Sequence, residues 1–182
     1  MKTLEVRRHS MRKAQPQGGS QLSQEGVEYA RRVGATLGPF AQVVTSVAPR
    51  ARETAIAMGF AVDYELVTLV SDEAFYIESE ANRWWEAAQP FVALAQVLAT
   101  HRATWRYAHA LVAMWRDITM AIPEDAAALV IGHSGDIEIA LVACFPAHDP
   151  ATWGKPFGPL EGARLQFGGE PQHFVDLELL RG

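Results

Sequence analysis

Residues 127–136 read AALVIGHSGD, an unbroken apolar run that passes through Gly132, His133, Ser134 and Gly135 into a second apolar segment, from about Asp136 to Phe145. A short run without alternation, bounded by glycine, is typical of a parallel strand buried on both faces. The longer segment after it reads as a helix. The same strand-turn-helix order recurs upstream. Thr3 to Arg8 (TLEVRR) predicts a strand that ends at a loop carrying His9 and Ser10. Ser23 then opens a helix whose stripe of Leu22, Val27, Ala30, Val33 and Leu37 ends near Gly38-Pro39. Gln42 to Val47 (QVVTSV) is rich in strand formers, and Pro49 begins a helix that runs to Met58 and stops at Gly59. Strands alternating with helices predict an α/β fold: a three-layer α/β/α sandwich with a mostly parallel central sheet.

Between these units, Ala61 to Val70 predicts a further extended piece before the acidic turn Ser71-Asp72-Glu73, and Lys13 to Gln21 (KAQPQGGSQ) reads as a surface loop. Helical spacing covers about Glu80 to Ile122, with a break near Thr100 to Ala103 and a stripe of Trp105, Ala108, Val112, Trp115 and Thr119. This gives a helical insertion at about residues 74–126 within a single domain spanning 1–182. Ala163 to Phe167 and His173 to Leu179 complete the strands. The adjacent Trp84 and Trp85 cannot share one helix face, and the pocket mouth is favoured over a subunit interface for the exposed one.

The chain has 182 residues, 49% apolar and 20% charged, with a net charge of −5, which argues against a broad nucleic-acid-binding face. Cys144 is the only cysteine, so neither a disulfide framework nor a cysteine-rich zinc site is available. The opening MKTLEVRRHS turns polar within a few residues, unlike a secretory signal, and no apolar run approaches the roughly 18 residues of a membrane span. A cytoplasmic location is expected, with no membrane partner. The chain does not specify its oligomeric state.

In open α/β sheets, ligands sit beyond the carboxyl ends of the strands. Arg8 and His9 follow the first predicted strand, Arg50 the second, and His133 the apolar run. Guanidinium forks match phosphate oxygens, so this set predicts an anion site. A metal at the two histidines is not expected, because the arginines would repel a cation and no H-E-x-x-H is present. No cofactor is expected either. Ser134 does not make a nucleophile elbow, since G-x-S-x-G would need glycine where Asp136 stands. His101, His109, His148 and His173 lie in no motif and are assigned no role.

Arg8-His9-Ser10, SVAPRARETA over Ser46 to Ala55, GHSGD over Gly132 to Asp136 and QLSQEG over Gln21 to Gly26 together resemble the histidine phosphatase superfamily, which includes cofactor-dependent phosphoglycerate mutases. The resemblance extends over most of the chain. It implies a metal-independent phosphatase in which His9 takes the phosphoryl group as phosphohistidine before water hydrolyses it. Arg8, Arg50 and His133 would hold the phosphoryl oxygens, and a carboxyl group would serve the leaving oxygen. Glu73 fits that position, with Asp72, Glu78 and Glu80 as rivals. The implied substrate is a small phosphorylated metabolite or a phosphoprotein. A phosphoglycerate-type mutase and a noncatalytic module that binds phospho-ligands are the alternatives.

Ser10 stands where the family usually has glycine, so the turn either avoids a left-handed backbone or carries strain. Ser10 and Arg12 are also candidates for substrate contact. Surface charge is the default for Arg7, Arg12, Lys13 and Arg52, but Arg12 lies just past the phosphate turn, within reach of a second acidic group.

Overall fold

The computed structural model describes residues 1–14, 21–70 and 72–182. The middle of the loop expected over Lys13 to Gln21, and Ser71 of the expected acidic turn, lie outside the described residues. Six strands form one sheet in the order β3-β2-β4-β1-β5-β6. They are β1 (Lys2–Arg8), β2 (Gln42–Ser46), β3 (Tyr64–Leu66), β4 (Ala127–Gly132), β5 (Gly162–Gly168) and β6 (His173–Leu180). Neighbours from β3 to β1 pair in parallel. β5 then reverses against β1, and β6 returns against β5. The sheet is thus mixed, with β5 alone opposing the common direction.

Alternation along β4 builds the layers. Ala128 and Val130 face one core, shared with Leu4, Val6 and Val44. Leu129 and Ile131 face the other, where Ala30 of α1 (Gln24–Gly34) and Ala51 and Ala55 of α2 (Pro49–Ala57) pack. The first core receives α3 (Glu73–Asn82), α4 (Pro90–Thr100), α5 (Arg102–Ala121) and α6 (Asp136–Cys144) through residues such as Phe75, Phe91, Trp115 and Ile139. Ser23 caps α1 as expected, its side chain accepting from the Gly26 N–H. Among the described residues no helix is long and apolar enough to cross a membrane.

Several sequence expectations change in detail. The extended piece expected over Ala61 to Val70 shrinks to β3, an edge strand paired only with β2, and then turns as a 3-10 helix at Val67–Leu69. Helix begins earlier than Glu80, because Asp72 caps α3 by accepting from the N–H groups of Ala74 and Phe75. The buried stripe of α5 runs through Thr104, Ala108, Leu111, Trp115 and Ile118, and Trp105 falls beside it, 50% exposed. Trp84 and Trp85 occupy a 3-10 turn (Trp84–Glu86) that follows Arg83 in the left-handed region at φ 46°, ψ 41°. Arg7 is not a surface charge. Its Nε donates to Glu5 at 2.6 Å and its guanidinium to the Leu160 carbonyl at 2.6 Å, while Arg164 holds the other carboxylate oxygen of the buried Glu5.

Gly26 lets α1 lie directly on the turn after β1. A Cβ there would stand 2.0 Å from the Met11 carbonyl oxygen, the same oxygen that accepts from Ser23 N–H at 3.0 Å. Gly26→Ala should therefore lower stability by about 1–3 kcal/mol, as overpacking against rigid backbone usually does. Urea unfolding compared with wild type would measure it; an unchanged midpoint would show that α1 moves without cost.

Candidate active site

A cleft of about 640 Å³ opens at the carboxyl ends of β1, β2 and β4. Arg8, His9, Arg12, Arg50, Glu73 and His133 all line it, so one concavity gathers most of the residues singled out from the sequence. β1 and β4 set the spacing. Arg8 pairs with Gly132 across the sheet, and His9 N–H donates to the Gly132 carbonyl at 3.0 Å. The two imidazoles that follow lie edge to face, with ring centroids 5.2 Å apart.

Hydrogen bonds fix the tautomers. His9 Nδ1 lies 2.7 Å from the Ser10 carbonyl, which can only accept, so Nδ1 carries the proton and Nε2 presents a lone pair. Arg50 Nε donates to that lone pair at 3.1 Å. Another nitrogen of the same guanidinium donates to His133 Nδ1 at 3.1 Å, which leaves His133 Nε2–H to donate to Ser46 Oγ at 2.7 Å. Both imidazoles are buried, and burial is the main cause that drives His9 down to about 4 and His133 to about 3. Positive neighbours add to it: Arg50, Arg8 and Arg12 at His9, and Arg50, His9 and Arg8 at His133.

Behind these side chains lies a layer of fixed polar contacts. Ser10 is fully buried and does not line the cleft; its hydroxyl donates to the Gly26 carbonyl at 2.7 Å and its N–H to Thr54 Oγ1 at 3.0 Å. Its φ is not positive, so the serine introduces no left-handed strain. Thr54 in turn donates to the Arg50 carbonyl at 2.7 Å, linking the β1 turn to the start of α2. Arg8 donates to the Phe157 carbonyl at 2.6 Å.

Sequence reading missed Ser46 and Glu138. The Glu138 carboxylate, fully buried in α6, accepts from Ser134 Oγ at 2.8 Å, Gly135 N–H at 2.6 Å and Phe157 N–H at 2.8 Å. Burial pushes its carboxyl up, and these donors push the other way. Glu138 thus ties the His133 loop to the segment that anchors Arg8. The available signal was a lone carboxylate in an otherwise apolar run, Ile137 to Ala143.

The model of the histidine phosphatase superfamily (branch 1) matches residues 5–178. The chain belongs to this superfamily. Its enzyme type follows: a phosphoric monoester hydrolase of the histidine phosphatase type. Three solved structures illustrate the shared fold. A mycobacterial glucosyl-3-phosphoglycerate phosphatase is 20% identical with a TM-score of 0.66, covering 100% of this chain and 99% of that one. A phosphoserine phosphatase from Entamoeba histolytica, in complex with 3-phosphoglyceric acid, is 14% identical with a TM-score of 0.65, covering 100% and 98%. A phosphoglycerate mutase from Bacillus anthracis is 17% identical with a TM-score of 0.59, covering 90% and 86%. At these identities the likeness is one of fold. No curated protein matches the chain.

Among the carboxyl candidates of this histidine phosphatase, geometry separates free groups from engaged ones. Asp72 caps α3, and Glu78 accepts from both the N–H (2.9 Å) and the hydroxyl (2.5 Å) of Thr104. Glu73 and Glu80 line the cleft. The wall around them carries Phe75, Tyr76, Trp84 and Trp85, so the tryptophan pair borders the cleft as expected. His109 and His148 border a separate, largely apolar cleft of about 430 Å³ lined by no arginine or lysine. Among the described residues no three His, Cys, Asp or Glu side chains gather as metal ligands.

The depressed imidazoles set a pH signature. In the unfolded chain both titrate near ~6.5; in the folded protein they titrate at about 4 and about 3. Between those values the unfolded chain binds more protons. Their contribution to stability is therefore complete above ~6.5 and is lost progressively as pH falls toward the folded values. Imidazole NMR should find His9 and His133 still neutral at pH 5. The unfolding free energy in urea should fall from pH 7 to 4.5, less steeply in His9→Gln; a slope unaffected by that change would refute the assignment.

Proposed function

We propose that this histidine phosphatase hydrolyses a small phosphorylated metabolite or phosphoprotein without a metal, through a phosphohistidine at His9. The observation that carries the reading is the Nε2 lone pair of His9, held in a cleft lined by Arg8, Arg12 and Arg50. Nε2 attacks phosphorus in line, and a P–N bond forms as the ester P–O bond breaks. Arg8 and Arg50 hold two non-bridging oxygens, and His133 serves the third once Arg50 leaves its Nδ1 and that nitrogen takes up a proton under the pull of the dianion, with Nε2–H still on Ser46 Oγ. A phosphoryl dianion competes for the Arg50 guanidinium, which otherwise donates to the attacking lone pair. Drawing Arg50 onto the phosphoryl group releases the nucleophile.

Glu73, as the carboxylic acid, gives a proton to the departing alkoxide. As the carboxylate it then takes one from the water that attacks the phosphohistidine, releasing inorganic phosphate and neutral His9. Glu80 is its one remaining rival on this cleft. The noncatalytic alternative loses one of its supports, because Ser10 sits in the turn without backbone strain. The single cysteine, Cys144, whose thiol burial pushes up to about 12, suits a reducing cytoplasm.

His9→Ala should abolish release of phosphate from p-nitrophenyl phosphate in the presence of chelator, and Arg50→Ala should lower kcat/KM by about 10²–10³-fold, the usual effect of losing one preorganised donor. Undiminished turnover by His9→Ala would overturn the mechanism. Glu73→Gln should slow an alkyl phosphate far more than p-nitrophenyl phosphate, whose leaving group needs no proton. If Glu80→Gln shows that pattern and Glu73→Gln does not, the acid is Glu80. Transfer of phosphate between hydroxyls of a phosphoglycerate, without phosphate release, would establish the mutase instead.

A further inference from the structure

Three arginines border the cleft, and two have fixed tasks within the protein. Arg8 is anchored on the Phe157 carbonyl, and Arg50 lies between the imidazoles. Arg12 differs. Its backbone is pinned, because it bridges to Leu22, whose own N–H donates to Glu53 at 2.7 Å. Its guanidinium makes no hydrogen bond or ion pair among the described residues, although Glu73 and Glu80 line the same cleft. An exposed arginine placed this near two others raises the energy of all three until an anion arrives. Arg12 is close enough to act electrostatically against the charged forms of Arg8, His9 and Arg50.

One phosphoryl group is already served by Arg8, Arg50 and His133. From the pinned Arg12 on the cleft wall, unpaired among the described residues, we infer that the substrate carries a second anionic group, and that Arg12 selects for it. The inference rests on the proposal that the cleft takes a phosphomonoester. The body joining the two anions would lie along Tyr76 and Trp85, which line the same cleft as Arg12. Tyr76 is 57% exposed, which leaves its ring available to a flat apolar body.

Binding of phosphonates, which cannot be hydrolysed, separates this inference from the catalytic one. Calorimetry would compare benzylphosphonate with its 2-, 3- and 4-carboxy derivatives on the wild-type protein, Arg12→Leu and Arg12→Lys. At least one carboxy isomer should bind wild type about tenfold more tightly than the parent, as one charge-assisted contact allows. That advantage should shrink with added salt, fall to within twofold in Arg12→Leu and be partly kept in Arg12→Lys. Equal binding of all four compounds to wild type, or an advantage that survives Arg12→Leu, would overturn the inference. Turnover of phenyl phosphate is a separate readout. Carboxybenzylphosphonate bound through Arg12 by a protein that hydrolyses no phosphate ester would refute the phosphatase reading and leave the second-anion site standing.

Discussion

The parallel pairing of β1 with β4 is the constraint on which the cleft depends. Arg8 and Gly132 are register partners, so the residues after them leave the sheet together, and the His9 N–H closes the ladder on the Gly132 carbonyl. Strand spacing of about 4.8 Å then places the imidazoles side by side without help from any loop. A slip of one residue would send one imidazole to the opposite face of the sheet. The buried alternation of β4, which feeds both cores, penalises such a slip heavily: every one of its side chains would change cores. Apolar packing on both faces of the sheet thus sets the register on which the geometry of the cleft rests.

Burial gives this arrangement its electrostatic character. Two imidazoles are held neutral beside three guanidinium groups, and the buried Glu138 carboxylate faces backbone N–H groups and Ser134. Three guanidinium groups line the cleft against two carboxyl groups, Glu73 and Glu80, an excess that an incoming polyanion relieves. Arg50 is the hinge of the balance, since one guanidinium serves both rings. Its position at the start of α2 is fixed through Thr54, which also holds the Ser10 N–H. Ser10 thus acts as a brace between α1 and α2, a role the glycine usual in the family has no side chain to perform.

What could be read from the sequence follows the range of the forces involved. β1, β2, β4 and the helices after them were legible because apolar runs, Ser23 and Pro49 act locally, and the arginines and histidines of the cleft follow from strand ends. Glu138, Ser46 and the buried Glu5–Arg7–Arg164 cluster were not, because the partners that give them their roles, Phe157 for Glu138, His133 for Ser46 and Arg164 for Glu5, lie 19, 87 and 159 residues away and leave no periodic trace. β3 was overestimated, since an edge strand with one neighbour has little besides propensity to extend it. The tryptophan pair defied a helical reading because a single left-handed residue, Arg83, ends α3 just before it. Among the acids, Asp72 and Glu78 could be set aside only once their backbone and threonine partners were known.

The two walls of the cleft come from separate stretches of chain. Strand ends bring the histidines and arginines, whereas Val70 through Trp85 bring the aromatic side that includes Tyr76. Apart from Phe75, Ser79 and Trp84, which are buried, that second stretch is largely solvent-facing, so substitutions there disturb little of the core. Outside Glu73 and Glu80, the aromatic wall can therefore change its shape at little cost to the fold while Arg8, His9, Arg50 and His133 stay still.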